Sequence, residues 1–216
     1  AKPVIELKNV ATALGHKNVS LSLYPGEVLG MYGLVGAGRS ELARSILGLH
    51  EVTNGQIFIN GEEIKIKSFR DALHKYRIGY VTENRKEEGL FLDFPVRKNI
   101  SVTILSKILQ KLSVINFKKE ADVATKYVDR LGIKVVDNSQ LALTLSGGNQ
   151  QKVSVSKWLA AETKILIIDE PTVGVDVRTK ASFHELIAQL ADEGLSIILI
   201  SSDLAEMIAV ADRILV

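Results

Sequence analysis

The chain has no cysteine, which excludes a disulfide framework and any thiolate metal site and suits a reducing compartment. It also lacks an apolar run near the ~20 residues that a membrane-crossing helix needs, and it shows no secretory leader. Charge of one sign is missing too: 27 Lys and Arg against 25 Asp and Glu leave a formal charge of +2. Lys118-Lys119 and Arg85-Lys86 are too short to make a nucleic-acid footprint. The histidines, His16, His50, His74 and His184, are scattered without metal-ligand spacing, and there is no internal repeat or low-complexity segment. What remains is 216 residues, 46% hydrophobic and 24% charged, enough for a packed core in one large domain or two small ones. The chain starts at Ala1 and stops at Ile214-Leu215-Val216, inside an apparent strand. The expectation is a domain within a longer polypeptide.

Strand and helix patterns alternate. Val4-Ile5-Glu6-Leu7 and Val19-Ser20-Leu21-Ser22-Leu23 read as half-exposed strands, and Val28-Leu29-Gly30-Met31-Tyr32 as a buried one. Residues 41–47 read as a helix and 56–61 as a strand closed by a turn. Ser68 is placed to cap a short helix through Tyr76, and 78–81 form another short strand. The composition changes after Val81. Residues 83–88 are a charged loop, 96–112 and 119–131 read as helices, and Ser146-Gly147-Gly148 opens a helix through Ala160. Strands return with Ile165-Leu166-Ile167-Ile168 and Ile197-Ile198-Leu199-Ile200, uniformly apolar as strands covered on both faces are. Between them, 178–192 is a helix with Phe183, Leu186, Ile187 and Leu190 on one face. Gly194 ends it, and 204–210 make a last short helix. This order implies an α/β fold: a mostly parallel sheet with helices on both faces and a helical insertion.

Three motifs carry chemistry. Gly33-Leu34-Val35-Gly36-Ala37-Gly38-Arg39-Ser40 lies between a strand and a helix, the context of a phosphate-binding loop. Its amides and the helix N-terminus would face a polyphosphate, and Ser40 sits where a hydroxyl would ligate Mg²⁺. Arg39 stands in the slot where the motif asks for lysine. The buried strand 165–168 runs into Asp169 and Glu170, beyond the carboxyl end of a strand, where open parallel sheets bind ligands. Asp169 is the candidate for Mg²⁺, directly or through water, and Glu170 for a base or polarising group at an attacking water. Leu145-Ser146-Gly147-Gly148-Asn149-Gln150-Gln151-Lys152 is a second anion site at a helix start. An ordinary serine cap does not need two glycines in the first turn, where each weakens a helix by about 1 kcal/mol.

The order of phosphate loop, Leu-Ser-Gly-Gly-Asn-Gln-Gln, Asp-Glu-Pro-Thr and Val-Gly-Val-Asp resembles the nucleotide-binding cassette of an ABC transporter over nearly the whole chain. The resemblance implies a P-loop NTPase fold of the ABC ATPase type, with N-terminal antiparallel strands, a core of residues 1–83 and 153–216, and a helical subdomain of residues 84–152. It implies ATP and Mg²⁺ as cofactors. ATP would meet Gly33, Leu34, Val35, Gly36, Ala37, Gly38, Arg39, Ser40 and Glu41 of one cassette. Ser146, Gly147, Gly148 and Gln150 of a second cassette, with Asp176 in the loop across the interface, would close the site. Asp169 and Ser40 would hold Mg²⁺ and Glu170 would activate water. Pairs of such cassettes drive a membrane permease.

Four positions depart from the family pattern. Arg39 replaces lysine, a change that is not conservative at a phosphate. Glu83 stands where the family has a glutamine near Mg²⁺ and water, so a metal-contacting or catalytic role falls to a carboxylate. Ser202 stands in place of the histidine that contacts the γ-phosphate. The adenine-stacking aromatic is missing from Thr12-Ala13-Leu14-Gly15-His16, leaving Leu14, His16 or no residue to pack on the base. With Glu-Asn-Arg-Lys-Glu-Glu-Gly-Leu and Ile-Ser-Ser-Asp, the set looks like the second, C-terminal cassette of ribose/galactose/arabinose-type sugar importers. That likeness implies a first cassette N-terminal in the same polypeptide, permease subunits and, indirectly, a periplasmic or extracellular sugar-binding protein. It implies no nucleic-acid partner and a peripheral place on the cytoplasmic face of the bacterial inner membrane. It also implies a degenerate ATP site here, beside a signature that completes the partner's site. Importers of nucleosides or other small molecules, and a non-hydrolysing regulatory module, are the alternatives.

Overall fold

A computed structural model of the protein describes residues 2–109 and 114–216. The chain divides into two compact units: Ala1–Tyr80 with Thr163–Glu170 and Ile187–Val216, and Val81–Glu162 with Pro171–Leu186.

The first unit contains two sheets. One is antiparallel, in the order β2-β1-β4-β5, from β1 (Ile5–Thr12), β2 (Val19–Leu23), β4 (Val52–Ile59) and β5 (Glu62–Ile64). The hairpin between β4 and β5 turns on Asn60-Gly61, both at positive φ (53° and 85°), the conformation of a two-residue turn matched to strand twist. The sequence pattern ends the strand at this turn, and β5 is only three residues long, too short to show a pattern of its own. The other sheet has the order β6-β7-β8-β3-β9, built from β3 (Val28–Tyr32), β6 (Ile78–Val81), β7 (Ile165–Asp169), β8 (Ser196–Ser201) and β9 (Arg213–Leu215). β8 pairs in parallel with β7 and with β3, and β9 in parallel with β3. β7 and β8 are buried throughout, which is why their sequences carry no polar alternation.

α1 (Arg39–Ile46) and the short α2 (Phe69–His74) complete the first half of this unit. Ser68 caps α2 as expected, its hydroxyl accepting from Asp71 N at 3.2 Å. The core joins Leu7, Leu23, Leu29, Ile46, Ile167 and Ile198. Burial of each such side chain contributes about 1.5–3 kcal/mol. Gly30 of β3 faces α8 (Leu204–Val210): a Cβ there would lie 2.6 Å from Met207 Sδ.

The second unit is helical. The helix expected over 96–112 is broken into α3 (Val96–Ser101), a 3₁₀ turn (Val102–Ile104) and α4 (Leu105–Ile108); residues 110–112 lie outside the described residues. Val102-Thr103-Ile104 is a β-branched run, poor in a helix interior, and Thr103 Oγ1 donates to the Lys157 carbonyl at 2.6 Å instead of facing solvent. α5 (Phe117–Leu131) begins two residues before the expected 119 because Asn116 caps it, accepting from Lys119 N. α6 (Gly147–Ala160) starts at the capping Ser146. α7 (Val177–Asp192) has its residues through Leu186 in this unit and the remainder in the first.

Candidate functional site

In the first unit, β3 ends in the glycine-rich loop and α1 begins at Arg39. Gly36 and Gly38 hold φ of 84° and 83°, a conformation costly for any side chain. Leu34 and Val35 are 79% and 89% exposed: the loop packs no apolar core, and its backbone is the part available for recognition. Glu41 is exposed in the first turn of α1, its carbonyl accepting from Ser45 Oγ.

The strand ends bring a compact polar cluster to this loop. Asp169 is 1% exposed. Its Oδ1 accepts from Ser40 Oγ at 2.9 Å and its Oδ2 from Tyr80 OH at 2.6 Å. Burial pushes the Asp169 carboxyl above the usual range, against the pull of these two hydrogen bonds. The phenol of Tyr80 is raised as well, by its own burial and by the Asp169 charge. Tyr80 was not singled out in the sequence, because only the adjacency of β6 and β7 places it on Asp169.

Glu170 sits at φ 43°, left-handed for a side-chain-bearing residue. Its Oε2 accepts from Ser202 Oγ at 3.2 Å, and its Oε1 lies 3.4 Å from Arg39 Nη2. Burial raises its pKa, opposed by Ser202 and then Arg39. Arg39 also donates from Nη1 to the Ser201 carbonyl at 2.6 Å and from Nη2 to the Leu34 carbonyl at 3.2 Å. Arg39, Ser202 and Glu170 therefore form one hydrogen-bonded group.

Among the described residues no three His, Cys, Asp or Glu side chains gather to hold a metal. Ser40 and Asp169 still fit Mg²⁺: they are hard oxygen donors 2.9 Å apart, and this ion is usually bound by one or two carboxylates with phosphates and water completing its shell.

The second unit holds the other candidates. Glu83 is exposed, just before a π-turn (Arg85–Gly89) whose start is capped by Asn84. Lys157 Nζ donates to the Gly89 carbonyl at 2.6 Å, tying the end of that turn to α6. Ser146, Gly148 and Asp176 line one cavity of about 360 Å³. Asp176 accepts from Thr179 N and Oγ1 at the start of α7, and these bonds hold its carboxyl below the usual range. A Cβ on Gly147 would lie 3.0 Å from Arg85 Nη2, and one on Gly148 would lie 2.5 Å from Thr179 Cγ2. The glycines are there for close packing as well as for backbone exposure. Gln150 of the signature is buried, and its Nε2 donates to the Ala142 carbonyl at 3.1 Å. It holds the preceding turn.

The sequence profile of ABC transporters matches residues 16–173. The chain belongs to the ABC transporter family. The cassette is 45% identical over 214 residues to a ribose import ATP-binding protein, RbsA 3, of Rhizobium etli, covering 99% of this chain and 42% of that protein. It is 42% identical over 215 residues to RbsA of Oceanobacillus iheyensis, covering 100% of this chain and 43% of that protein. The cassette thus spans less than half the length of these relatives. Among solved structures it superposes with a TM-score of 0.81 on a nucleotide-free ATP-binding cassette from an ABC transporter, at 21% identity, over 98% of this chain and 86% of that one. Against cbiO1 of Clostridium perfringens, part of an ABC transporter complex, the TM-score is 0.81 at 23% identity, over 99% of this chain and 84% of that one. The mostly parallel sheet and the antiparallel sheet are those of the ABC ATPase fold. No helix among the described residues is long and apolar enough to cross a membrane.

Proposed function

We propose that this cassette binds ATP and Mg²⁺ and serves as an ATPase domain of a sugar importer, of the ribose import type its relatives are named for. The observation that carries this reading is the Ser40 hydroxyl on the Asp169 carboxylate, 2.9 Å apart, beside a glycine-rich loop at the carboxyl end of a parallel sheet. Gly33 through Ser40 would bind the polyphosphate through backbone amides, with Glu41 following at the helix start, and Ser40 and Asp169 would hold Mg²⁺. The bound ion neutralises phosphate charge. Ser146, Gly147, Gly148 and Asp176 would complete the site of a second cassette, N-terminal in the same polypeptide. Residues 84–152 would be the helical subdomain.

The site on this chain's own loop would turn over slowly. Glu170, the candidate base, is already engaged by Arg39 and Ser202. Arg39 spends donors on two carbonyls in place of a flexible ammonium on a phosphate. If Glu83 takes the place of the family's glutamine, its carboxylate would add repulsion to phosphates. Partners would be permease subunits at the cytoplasmic face of the inner membrane and, through them, a sugar-binding protein. Phe91 and Phe94 have rings 5.8 Å apart, edge to face, and are both about half exposed, and backbone bonds from Ala142 N to Phe94 O and from Leu143 N to Leu92 O bring the segment with the exposed Leu141 and Leu143 alongside. Such an apolar surface suits a permease helix.

The test is steady-state phosphate release by the full-length protein in its transporter. Glu170→Gln is expected to leave the rate nearly unchanged, and Ser146→Arg to abolish it. A collapse with Glu170→Gln overturns the slow site. Undiminished turnover with Ser146→Arg overturns the role given to the signature. Failure of the wild type to bind Mg-ATP overturns the whole reading.

A further inference from the structure

The turn after β1 closes on itself. Thr12 N donates to the His16 carbonyl at 3.2 Å, Gly15 N to the Thr12 carbonyl at 3.1 Å, and Leu14 N to Thr12 Oγ1 at 3.3 Å. The imidazole of His16 is held at both nitrogens: Nδ1 is 2.6 Å from Thr12 Oγ1, and Nε2 is 2.8 Å from the Gly38 carbonyl oxygen. A carbonyl only accepts, so Nε2 carries the proton and donates. The same oxygen accepts from Leu42 N at 2.9 Å, the first helical bond of α1.

The Gly38 carbonyl and the Arg39 N–H share one peptide plane and point in opposite directions. Anchoring the oxygen therefore sets the direction of the amide. That amide belongs to the unpaired donors at the start of α1, which face an anion there. The fit is close: Gly38 holds φ 83°, and a Cβ on it would lie 2.7 Å from His16 Nε2. The imidazole edge occupies the space that the missing side chain leaves.

We infer that His16 is a positioning residue for the glycine-rich loop, acting on the polyphosphate through Gly38 rather than on the base of the nucleotide. The inference rests on the reading above that this loop holds a polyphosphate. It is tested by titrating the full chain with Mg-ATP and with Mg-tripolyphosphate, which has no base, in the wild type, His16→Phe and His16→Gln. His16→Phe keeps a ring and loses the donor; it should weaken both ligands by the same factor, about fivefold for one lost hydrogen bond. His16→Gln, whose Nε2 can donate, should return both affinities close to wild type, a rescue that loss of general packing would not show. A loss confined to ATP, with tripolyphosphate unaffected, assigns His16 to the base and overturns the inference. Equal loss with Phe and Gln, or no loss with either, also overturns it. If the wild type binds neither ligand, the nucleotide reading itself fails and takes this inference with it.

Discussion

At the scale of single residues, the cassette keeps several charges where burial penalises them. Asp169 and Glu170 both have raised pKa values from burial. For a carboxylate this favours the folded state below its unfolded pKa, and that advantage is lost as pH rises through the folded value. The charged forms of these two acids are therefore the ones that burial disfavours. Lys157 shows the opposite sign. It is 8% exposed, its Nζ lies 4.6 Å from the Trp158 ring centroid, and burial pushes its pKa down from 10.5 to about 8. Between those values the unfolded chain binds more protons than the folded one, so stability rises with pH. The urea midpoint of the wild type is expected to climb from pH 8 towards pH 10, and that of Lys157→Met to stay flat over the same window. A parallel climb in both would show that Lys157 is not the group responsible.

At the scale of elements, the start of α6 combines a cap with close packing. Ser146 Oγ accepts from Asn149 Nδ2 at 2.9 Å, while Gly148 gives up helix propensity so that Thr179 can approach. With Thr179 Cγ2 only 2.5 Å from where a Cβ would stand, Gly148→Ala should destabilise the chain by about 1–3 kcal/mol through overpacking. Adding Thr179→Ser removes that methyl and keeps the hydroxyl bonded to Asp176, so more than half of the loss should return. Urea unfolding of the two single variants and the double variant measures the coupling; strict additivity would show that the contact does not limit the packing. Element boundaries follow the same logic. The capped helices α2 and α6 were legible because a side chain marks their start. The break within 96–112 was not, because a tertiary hydrogen bond from Thr103 to Lys157 reinforces a weak local bias.

At the scale of the whole molecule, the chain passes from the first unit to the second and back twice. The first unit therefore draws on residues 187–216 as well as on residues 1–80. β8 lies between β7 and β3, two strands separated by more than half the chain, whereas β9 occupies the edge beside β3. Bringing such distant segments together costs loop-closure entropy before the contacts repay it. A fragment ending at residue 194 lacks the central strand and is expected to remain unfolded by near-ultraviolet circular dichroism. A fragment ending at residue 211 loses only the edge strand and should fold with a lowered melting temperature. A folded 1–194 fragment would overturn this view of the sheet.

The sequence by itself determined which stretches are candidates for the site. Glycines between a strand and a helix, two acids after an apolar strand, and Ser-Gly-Gly at a helix start are local patterns, and local backbone sterics and capping give them their meaning. It also determined the layering of the fold, since a strand buried on both faces can hold no polar alternation. Only the tertiary structure decided the partners: Tyr80 on Asp169, Arg39 and Ser202 on Glu170, His16 on Gly38, Thr179 against Gly148. Each joins residues brought together by strand order or helix packing rather than by spacing along the chain. A hydrogen bond a few ångströms long depends on that arrangement in space, which no local pattern encodes.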